Sequence, residues 1–224
     1  RKIYFLLNKK KNLKITSNLV LRVNSLFNYF KKATNNKNIY YIEADYIWGR
    51  KHKLFGWRSK VREYSVIYGA AIHMIDLIMW MTESKPIKVS AYGNDKATKN
   101  SKFKKNSLIV IMLEFPNNIL VKITANASAT YNHLHEIKIF SKNQTLVNNN
   151  SGSYKYENGK LKKINSNYPD KKNRKKMIQN FIDHLLDKST NLLISHKEQF
   201  DLMSICFAAE KSINLEKKIT IKYL

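Results

Sequence analysis

The chain has 224 residues, 43% of them hydrophobic, and its 41 Lys and Arg against 16 Asp and Glu give a formal net charge of +25. This length and composition allow one domain with a sizeable core, and no apolar run is long enough to span a bilayer, so we expect a cytoplasmic protein. The single cysteine, Cys206, excludes an internal disulfide and a cysteine-based metal site.

The strong positive charge raises the question of nucleic-acid binding. The lysines are spread over nearly every segment, and their densest clusters have no interleaved aromatic residues that could stack on bases; the clusters are residues 9–11, 102–105 and 171–176. We therefore expect a solvated basic surface without a specific nucleic-acid partner. Weak, salt-sensitive binding to polyanions stays open.

The first predicted elements are the end of a helix over residues 3–7 and a short strand over 13–16. Apolar spacing then predicts an amphipathic helix over 19–33, which ends in a polar loop over 34–38. Residues 40–48 alternate like a strand, with an apolar face and a face that carries Glu43 and Asp45.

Residues 65–81, SVIYGAAIHMIDLIMWM, have the apolar spacing of a buried helix. His73 and Asp76 interrupt it three residues apart and are expected to project the same way. A buried ionisable group has to be hydrogen-bonded, paired or functional, so the two are either a structural pair or part of a site. The small residues Gly69, Ala70 and Ala71 indicate that another group approaches the first turn closely.

Strands dominate the rest of the chain until two final helices. We predict a strand from Pro86 with Ile87, Val89 and Ala91 inward. Further strands are predicted over 108–115, 119–127, 136–140, 144–147, 154–156, 160–164 and 219–223. The first of the two final helices is expected to bury Met177, Ile178, Phe181, Ile182, Leu185 and Leu186. The second begins with a capping box over residues 195–198 and is expected to bury Phe200, Met203, Cys206, Phe207 and Ile213. The result is an α+β fold with a large, open, mostly antiparallel sheet and helices on one face, whose free face favours dimerisation.

The run YGAAIHMIDLIMWM, followed by KPIKVSAYGN, resembles the segment G-G-x-I-H-x-I-D-L-x-x-W-L…P-x-x-V-x-A of the Gfo/Idh/MocA oxidoreductases, which include glucose-fructose oxidoreductase and inositol dehydrogenase. IYYIEADYIWGR, GWRSK, LEFPNNILVKITANAS and KKITI resemble the same family's carboxy-terminal domain, in its order. The resemblance implies that residues 1–17 are the last helix and strand of a Rossmann domain that is mostly missing. Residues 18–224 would be the substrate-binding and dimerisation domain.

The resemblance also implies an activity. Family members exchange hydride between NAD or NADP and a sugar, polyol or nucleotide sugar. His73 matches the family's histidine and is the candidate catalytic base, while Asp76 matches its aspartate and would orient the imidazole or hold a substrate hydroxyl. Many members place an aspartate four residues before the histidine, where this chain has Gly69. His73 would then work alone with a lysine of the missing part, or the protein would use a different substrate class.

The loop over residues 49–60 contains Trp57 and Arg58, which resemble a Trp-Arg pair near the family's substrate cleft. The pair is a candidate substrate-binding lid or part of a solvated surface loop. His133 and His135 would share one face of a strand, but no carboxylate or cysteine accompanies them at ligand spacing, so we predict no metal site.

Neither G-x-G-x-x-G nor Glu-Lys-Pro occurs in these residues, so the cofactor-binding residues are unknown and these residues alone are expected to be inactive. A homodimer or homotetramer with a sugar-type substrate is expected. Two alternatives remain: a cofactor-less sugar-binding homologue, and a basic nucleic-acid-binding module. A glycine-rich βα turn encoded upstream would favour the oxidoreductase. A start codon near Arg1 would favour the sugar-binding homologue, and an affinity for nucleic acid that falls steeply with salt would favour the nucleic-acid-binding module.

Overall fold

One open sheet dominates the described part of the chain. The computed structural model describes residues 2–10, 13–34, 39–166, 168–186 and 190–224. The strands are β1 (Ile39–Ile47), β2 (Lys88–Asn94), β3 (Leu108–Glu114), β4 (Leu120–Asn126), β5 (Leu134–Ser141), β6 (Gln144–Asn149), β7 (Gly152–Glu157), β8 (Lys160–Lys163) and β9 (Ile219–Thr220). They lie in the order β8-β7-β6-β5-β1-β4-β3-β2-β9. Only β1 and β4 are parallel neighbours among the described strands, so the predicted open, mostly antiparallel sheet is confirmed.

Turn residues and alternating side chains explain the centre of this sheet. Asn117 and Asn118 both have a φ of +61°, a conformation that asparagine tolerates well, and they close the predicted hairpin between β3 and β4. Every second residue of β1, β3 and β4 is buried against the helices. The opposite, free face of β1 carries Glu43 and Asp45, as predicted, and Lys122 of β4 forms ion pairs with both, at 3.0 and 3.2 Å.

Six α-helices accompany the sheet in the described residues. They are α1 (Lys2–Lys9), α2 (Ser25–Ala33), the short α3 (Trp57–Lys60), α4 (Ile72–Thr82), α5 (Lys175–Leu185) and α6 (His196–Leu215). α4 packs on β1 and α6 on β2, and their apolar side chains form one core with the inner face of the sheet. Among the described residues, no helix combines the length and the apolar character that a membrane span requires.

Several predicted elements differ in detail. Residues 13–16 form no strand; instead the backbone N–H of Ile15 donates to His196 Nε2 at 3.1 Å, which ties this segment to α6. The helix predicted over 19–33 is divided into a 3₁₀ turn (Val20–Val23) and α2, because the Asn24 side chain accepts from the Leu26 N–H and starts a new helix. Residues 35–38 of the predicted polar loop lie outside the described residues.

The predicted buried faces of the last two helices were partly wrong. In α5, Met177 is buried, whereas Ile178, Ile182, Leu185 and Leu186 are exposed. The predicted capping box of α6 is confirmed, yet Phe207 is 58% exposed and the helix buries Leu202, Ile205, Cys206 and Ala209. Ile87 is likewise exposed rather than inward. Periodicity shows which residues share a helix face, but the face that meets the sheet is decided by tertiary packing.

A buried ion pair ties α4 to its surroundings. Arg22 Nη2 donates to Asp76 Oδ1 at 2.6 Å and Arg22 Nε to Oδ2 at 3.0 Å, with side chains 4% and 2% exposed. The same guanidinium binds Glu198 Oε1 at 2.6 Å and the Leu193 carbonyl at 3.2 Å. Since Glu198 belongs to the capping box with Ser195, one arginine connects α4 to the start of α6.

The close approach predicted at the first turn of this helix is confirmed. Residues Ile67–Ala71 form a π-helical turn that continues into α4, and the Tyr64 ring packs against Gly69. A Cβ atom on residue 69 would lie 2.1 Å from Tyr64 Oη, closer than any real contact allows. Glycine is therefore required by the neighbouring side chain.

Asp76→Asn should lower the free energy of unfolding by about 3–5 kcal/mol, because it removes the buried carboxylate of the Arg22 pair and leaves only the more exposed Glu198 as a counter-charge. Urea denaturation would measure the loss. Glu157→Gln is the matched control: it removes the partner of Lys155 in a more exposed ion pair, and it should cost about 1 kcal/mol or less. Equal losses in the two variants would contradict a structural role for the Arg22–Asp76 pair.

Gly69→Ala should destabilise the protein by about 1–3 kcal/mol, because the added methyl group overlaps the Tyr64 ring. In a Tyr64→Ala background the same change should instead stabilise by up to about 1 kcal/mol, since alanine is the better helix former. Thermal denaturation of the four proteins would measure this reversal of sign, and a loss unaffected by Tyr64 would refute the explanation.

Candidate functional site

A cavity of about 600 Å³ opens where β1, β5 and α4 meet. Tyr46 near the end of β1, His135 near the start of β5 and His73 in the first turn of α4 point into it. It is lined by Asn18, Val20, Leu21, Asn24, Tyr46, Arg50, His73, His133, His135, Tyr168, Pro169, Asp170, Lys171 and Arg174. These residues come from five separate segments, so the fold, and no single motif, builds the site.

Tyr46 is the centre of an aromatic cluster. Its ring stacks on His73 with the centroids 5.7 Å apart and meets the edges of His133 and His135 at 5.3 and 4.8 Å. The rings of His133 and His135 are 4.9 Å apart. One tyrosine therefore holds three imidazoles at the base of one cavity.

Hydrogen bonds orient two of these three imidazoles. His133 Nδ1 lies 3.0 Å from the Ile47 carbonyl, so this nitrogen carries the proton. The Tyr168 hydroxyl accepts from the His135 backbone N–H at 2.8 Å and lies 2.6 Å from His135 Nδ1. His73 Nδ1 is buried and has no partner in the described part of the chain. It is the imidazole left available for a ligand.

Burial and positive charge keep the histidines neutral. Burial, His133 and Arg174 lower the pKa of His73 to about 4. Burial also holds the pKa of His135 well below its ordinary value and lowers that of His133, with Arg50 acting in the same direction. At neutral pH the cavity therefore presents uncharged imidazoles, which accept protons.

Gly49 sets the path of the chain into this cavity. It follows β1 with a φ of +60°, and a Cβ atom there would lie 2.0 Å from the Tyr131 carbonyl oxygen and 3.0 Å from the His133 backbone nitrogen. Only glycine allows both the left-handed conformation and this approach. The turn thus places Arg50 next to the segment that carries His133.

The structure separates the other predicted site residues from His73. Asp76 is engaged by Arg22, and burial raises its pKa to about 6, so the pair is ionised at neutral pH. It therefore neither pairs with His73 nor orients its Nδ1. Trp57 and Arg58 do not line the cavity; the Arg58 guanidinium stacks on the Trp57 ring at 4.4 Å. Substrate binding by these three residues stays a prediction.

Sequence reasoning missed most of the cavity. His133 and His135 were considered only as metal ligands, Tyr46 only as an apolar strand residue, Arg174 only within the solvated basic cluster over residues 171–176, and Tyr168 not at all. Their common signal is weak, since it consists of histidines two apart on a strand with a tyrosine on a distant one. Across the described ranges, no group of three or more His, Cys, Asp or Glu is placed to hold a metal ion.

Solved structures share this fold at low sequence identity. Myo-inositol 2-dehydrogenase from Lactobacillus plantarum superposes with a TM-score of 0.80 and 14% identity, over 98% of this chain and 68% of that one. Scyllo-inositol dehydrogenase from Lactobacillus casei, with bound NAD(H) and scyllo-inositol, superposes with a TM-score of 0.74 and 14% identity, over 96% of this chain and 66% of that one. UDP-N-acetylglucosamine 3-dehydrogenase from Acidithiobacillus ferrooxidans superposes with a TM-score of 0.71 and 15% identity, over 88% of this chain and 60% of that one. The chain thus spans about two thirds of these proteins or less.

A family model agrees with the fold. The GFO/IDH/MocA C-terminal domain model matches residues 38–147, which include α4, β1 to β5 and all three histidines of the cavity. A search of curated proteins found no match. The recognition of the Gfo/Idh/MocA C-terminal domain from its motifs is thus confirmed over residues 38–147, and the solved structures share its fold.

His73 should make the protein less stable in acid. The unfolded imidazole takes up a proton near pH 6.5, whereas the folded one has a pKa of about 4, so folding loses free energy as the pH falls between these values. We therefore compare the free energy of unfolding of the native protein with that of His73→Gln. The difference, native minus variant, should fall by about 3 kcal/mol as the pH is lowered from 6.5 to 4. Urea denaturation at several pH values would measure it, and two parallel curves would contradict the lowered pKa.

Proposed function

We propose that the chain is the substrate-binding part of an NAD- or NADP-dependent oxidoreductase that acts on an alcohol carbon of a sugar, polyol or nucleotide sugar. The observation that supports this most directly is His73, a neutral imidazole with an unpartnered Nδ1 in a polar cavity of about 600 Å³. A cavity of this size suits a small ligand such as a sugar. The similar dehydrogenases of inositol and of UDP-N-acetylglucosamine support the same substrate classes.

His73 acts as the proton acceptor in this proposal. An alcohol carbon gives up hydride only if its hydroxyl also loses a proton, and a neutral imidazole can accept that proton. His133 Nε2 and the Asn18 and Asn24 side chains line the same cavity and provide polar groups for neighbouring hydroxyls. Tyr46, stacked on His73, fixes the plane of the imidazole and excludes water from one of its faces.

The nicotinamide supplies the hydride acceptor when it is bound. The sequence contains no G-x-G-x-x-G turn, so no residue of the chain is assigned to its phosphates. We propose that residues 1–17 belong to a dinucleotide-binding domain, that residues 18–224 bind substrate, and that the 224-residue chain by itself is inactive.

We also propose that the free face of the sheet forms a homodimer or homotetramer. Its centre is a network in which Glu43 binds both Lys122 and Lys138, at 3.0 and 3.3 Å. Paired charges of this kind lose less solvation free energy than unpaired ones when a second sheet covers them. Location in the cytoplasm stays a prediction.

His73→Ala in the protein as its gene encodes it should lower turnover by about 10² to 10⁴, with little change in cofactor affinity. Steady-state kinetics on a panel of polyols and nucleotide sugars, with cofactor titrated by fluorescence, would measure both.

His184→Gln is the matched control, because this histidine contacts the Thr190 carbonyl outside the cavity and glutamine can still donate to it. It should leave turnover unchanged. Full turnover in His73→Ala would refute the proton-accepting role. Sugar binding without turnover in native protein supplied with NAD and NADP would favour the cofactor-less homologue.

A further inference from the structure

Positive charge in the cavity is not balanced. Arg50, Lys171 and Arg174 line it, and Asp170 is the only carboxylate among its lining residues. Asp170 is already engaged, since its Oδ2 accepts from the Ser25 backbone N–H at 3.0 Å and from the Asn173 amide. The histidines add no charge at neutral pH. The cavity therefore carries a net excess of two positive charges.

Neither arginine of the cavity, Arg50 or Arg174, has a partner among the described residues. No hydrogen bond or ion pair involves the Arg50 or Arg174 side chain in the described part of the chain, and Arg50 Nε is buried. Arg174 itself is exposed. Two other arginines differ from Arg50, because Arg22 is held by two carboxylates, whereas Arg58 lies between aromatic rings and donates from Nη1 to the Lys53 carbonyl at 3.4 Å, although its Nε is also buried without a partner among the described residues. Burying an arginine nitrogen without a partner costs free energy that a ligand can recover.

We propose that the substrate carries a phosphoryl group, in a sugar phosphate or in the diphosphate of a nucleotide sugar, and that Arg50 and Arg174 bind it. A guanidinium donates two parallel hydrogen bonds to such a group. A phosphate monoester carries a charge of about −1.5 to −2, which matches the excess, whereas a single carboxylate would leave part of it uncompensated. This inference rests on the proposed function, because it names the substrate class of the same cavity.

Binding at this position would also act on His73. Arg174 is one of the groups that lower its pKa, so a phosphoryl group that neutralises Arg174 should raise this pKa. The imidazole would become a stronger base when substrate is present. Burial remains the largest cause, so the pKa should rise only part of the way towards its ordinary value.

Isothermal titration calorimetry with four probes tests the proposal: myo-inositol, myo-inositol monophosphate, UDP-N-acetylglucosamine and glucuronate. At least one phosphoryl-bearing probe should bind about tenfold or more tighter than myo-inositol and glucuronate. Arg50→Gln and Arg174→Gln should each weaken that binding by about 10- to 100-fold, and Arg50→Lys by less. Tighter binding of glucuronate, or of myo-inositol, would overturn the proposal.

Matched controls separate a built site from general attraction to a basic protein. Lys172→Gln removes a charge next to the cavity but outside its lining, and Arg62→Gln removes an arginine that lines a different cavity. Both should leave the affinity within about twofold. If the two controls lost as much affinity as Arg50→Gln and Arg174→Gln, the binding would be unspecific attraction to a basic protein, and the proposal would be overturned.

The outcome is distinguishable from failure of the proposed function. His73-dependent turnover of a neutral polyol, with no effect of Arg50→Gln, keeps the oxidoreductase and overturns the phosphoryl site. Arginine-dependent phosphate binding without turnover of any probe, measured in the protein as its gene encodes it and with NAD and NADP supplied, supports the site and counts against the oxidoreductase. Because the Arg50 side chain has no partner to lose, Arg50→Gln should fold normally, and circular dichroism would verify this.

Discussion

The buried contact between Arg22 and Asp76 is the constraint on which the rest of the structure depends. The carboxylate lies on α4, one turn after His73, and its two oxygens accept hydrogen bonds from Nε and Nη2 of the Arg22 guanidinium, which also binds Glu198. Buried charges of this kind are stabilised only in a well-defined geometry, so the pair restricts how α4 can rotate and slide. The orientation of α4 in turn decides that His73 faces the cavity.

The cavity combines neutral bases with fixed cations. Three imidazoles around Tyr46 would repel one another if they were protonated, and burial and the nearby arginines prevent this. Among the residues that the structure describes, no carboxylate pairs with Arg50 or Arg174, which makes the cavity attractive to an anion. A site that both accepts a proton and attracts a negative group is suited to a phosphorylated or nucleotide-linked alcohol.

Local patterns were sufficient to predict most of the fold and part of the site. Alternation in β1, the Pro-Asn-Asn turn after β3 and the Ser195–Glu198 capping box depend on neighbours in sequence, and all three were predicted correctly. His73 could be selected because it interrupts an apolar helix. Arg22 could not be matched to Asp76, 54 positions away, and no periodicity brings His133 or Arg174 to α4. Contacts between distant segments are decided by the assembled sheet.

Histidine NMR is the most direct test of the central claim that a neutral His73 faces a substrate cavity. Nitrogen-15 spectra of the imidazoles, recorded from pH 4 to 8 with and without myo-inositol monophosphate, report the protonation of each ring. The account predicts that the free His73 stays neutral down to about pH 5 and that its signals shift when the probe is added. A His73 that titrates near pH 6.5 and ignores every sugar-type probe would contradict it.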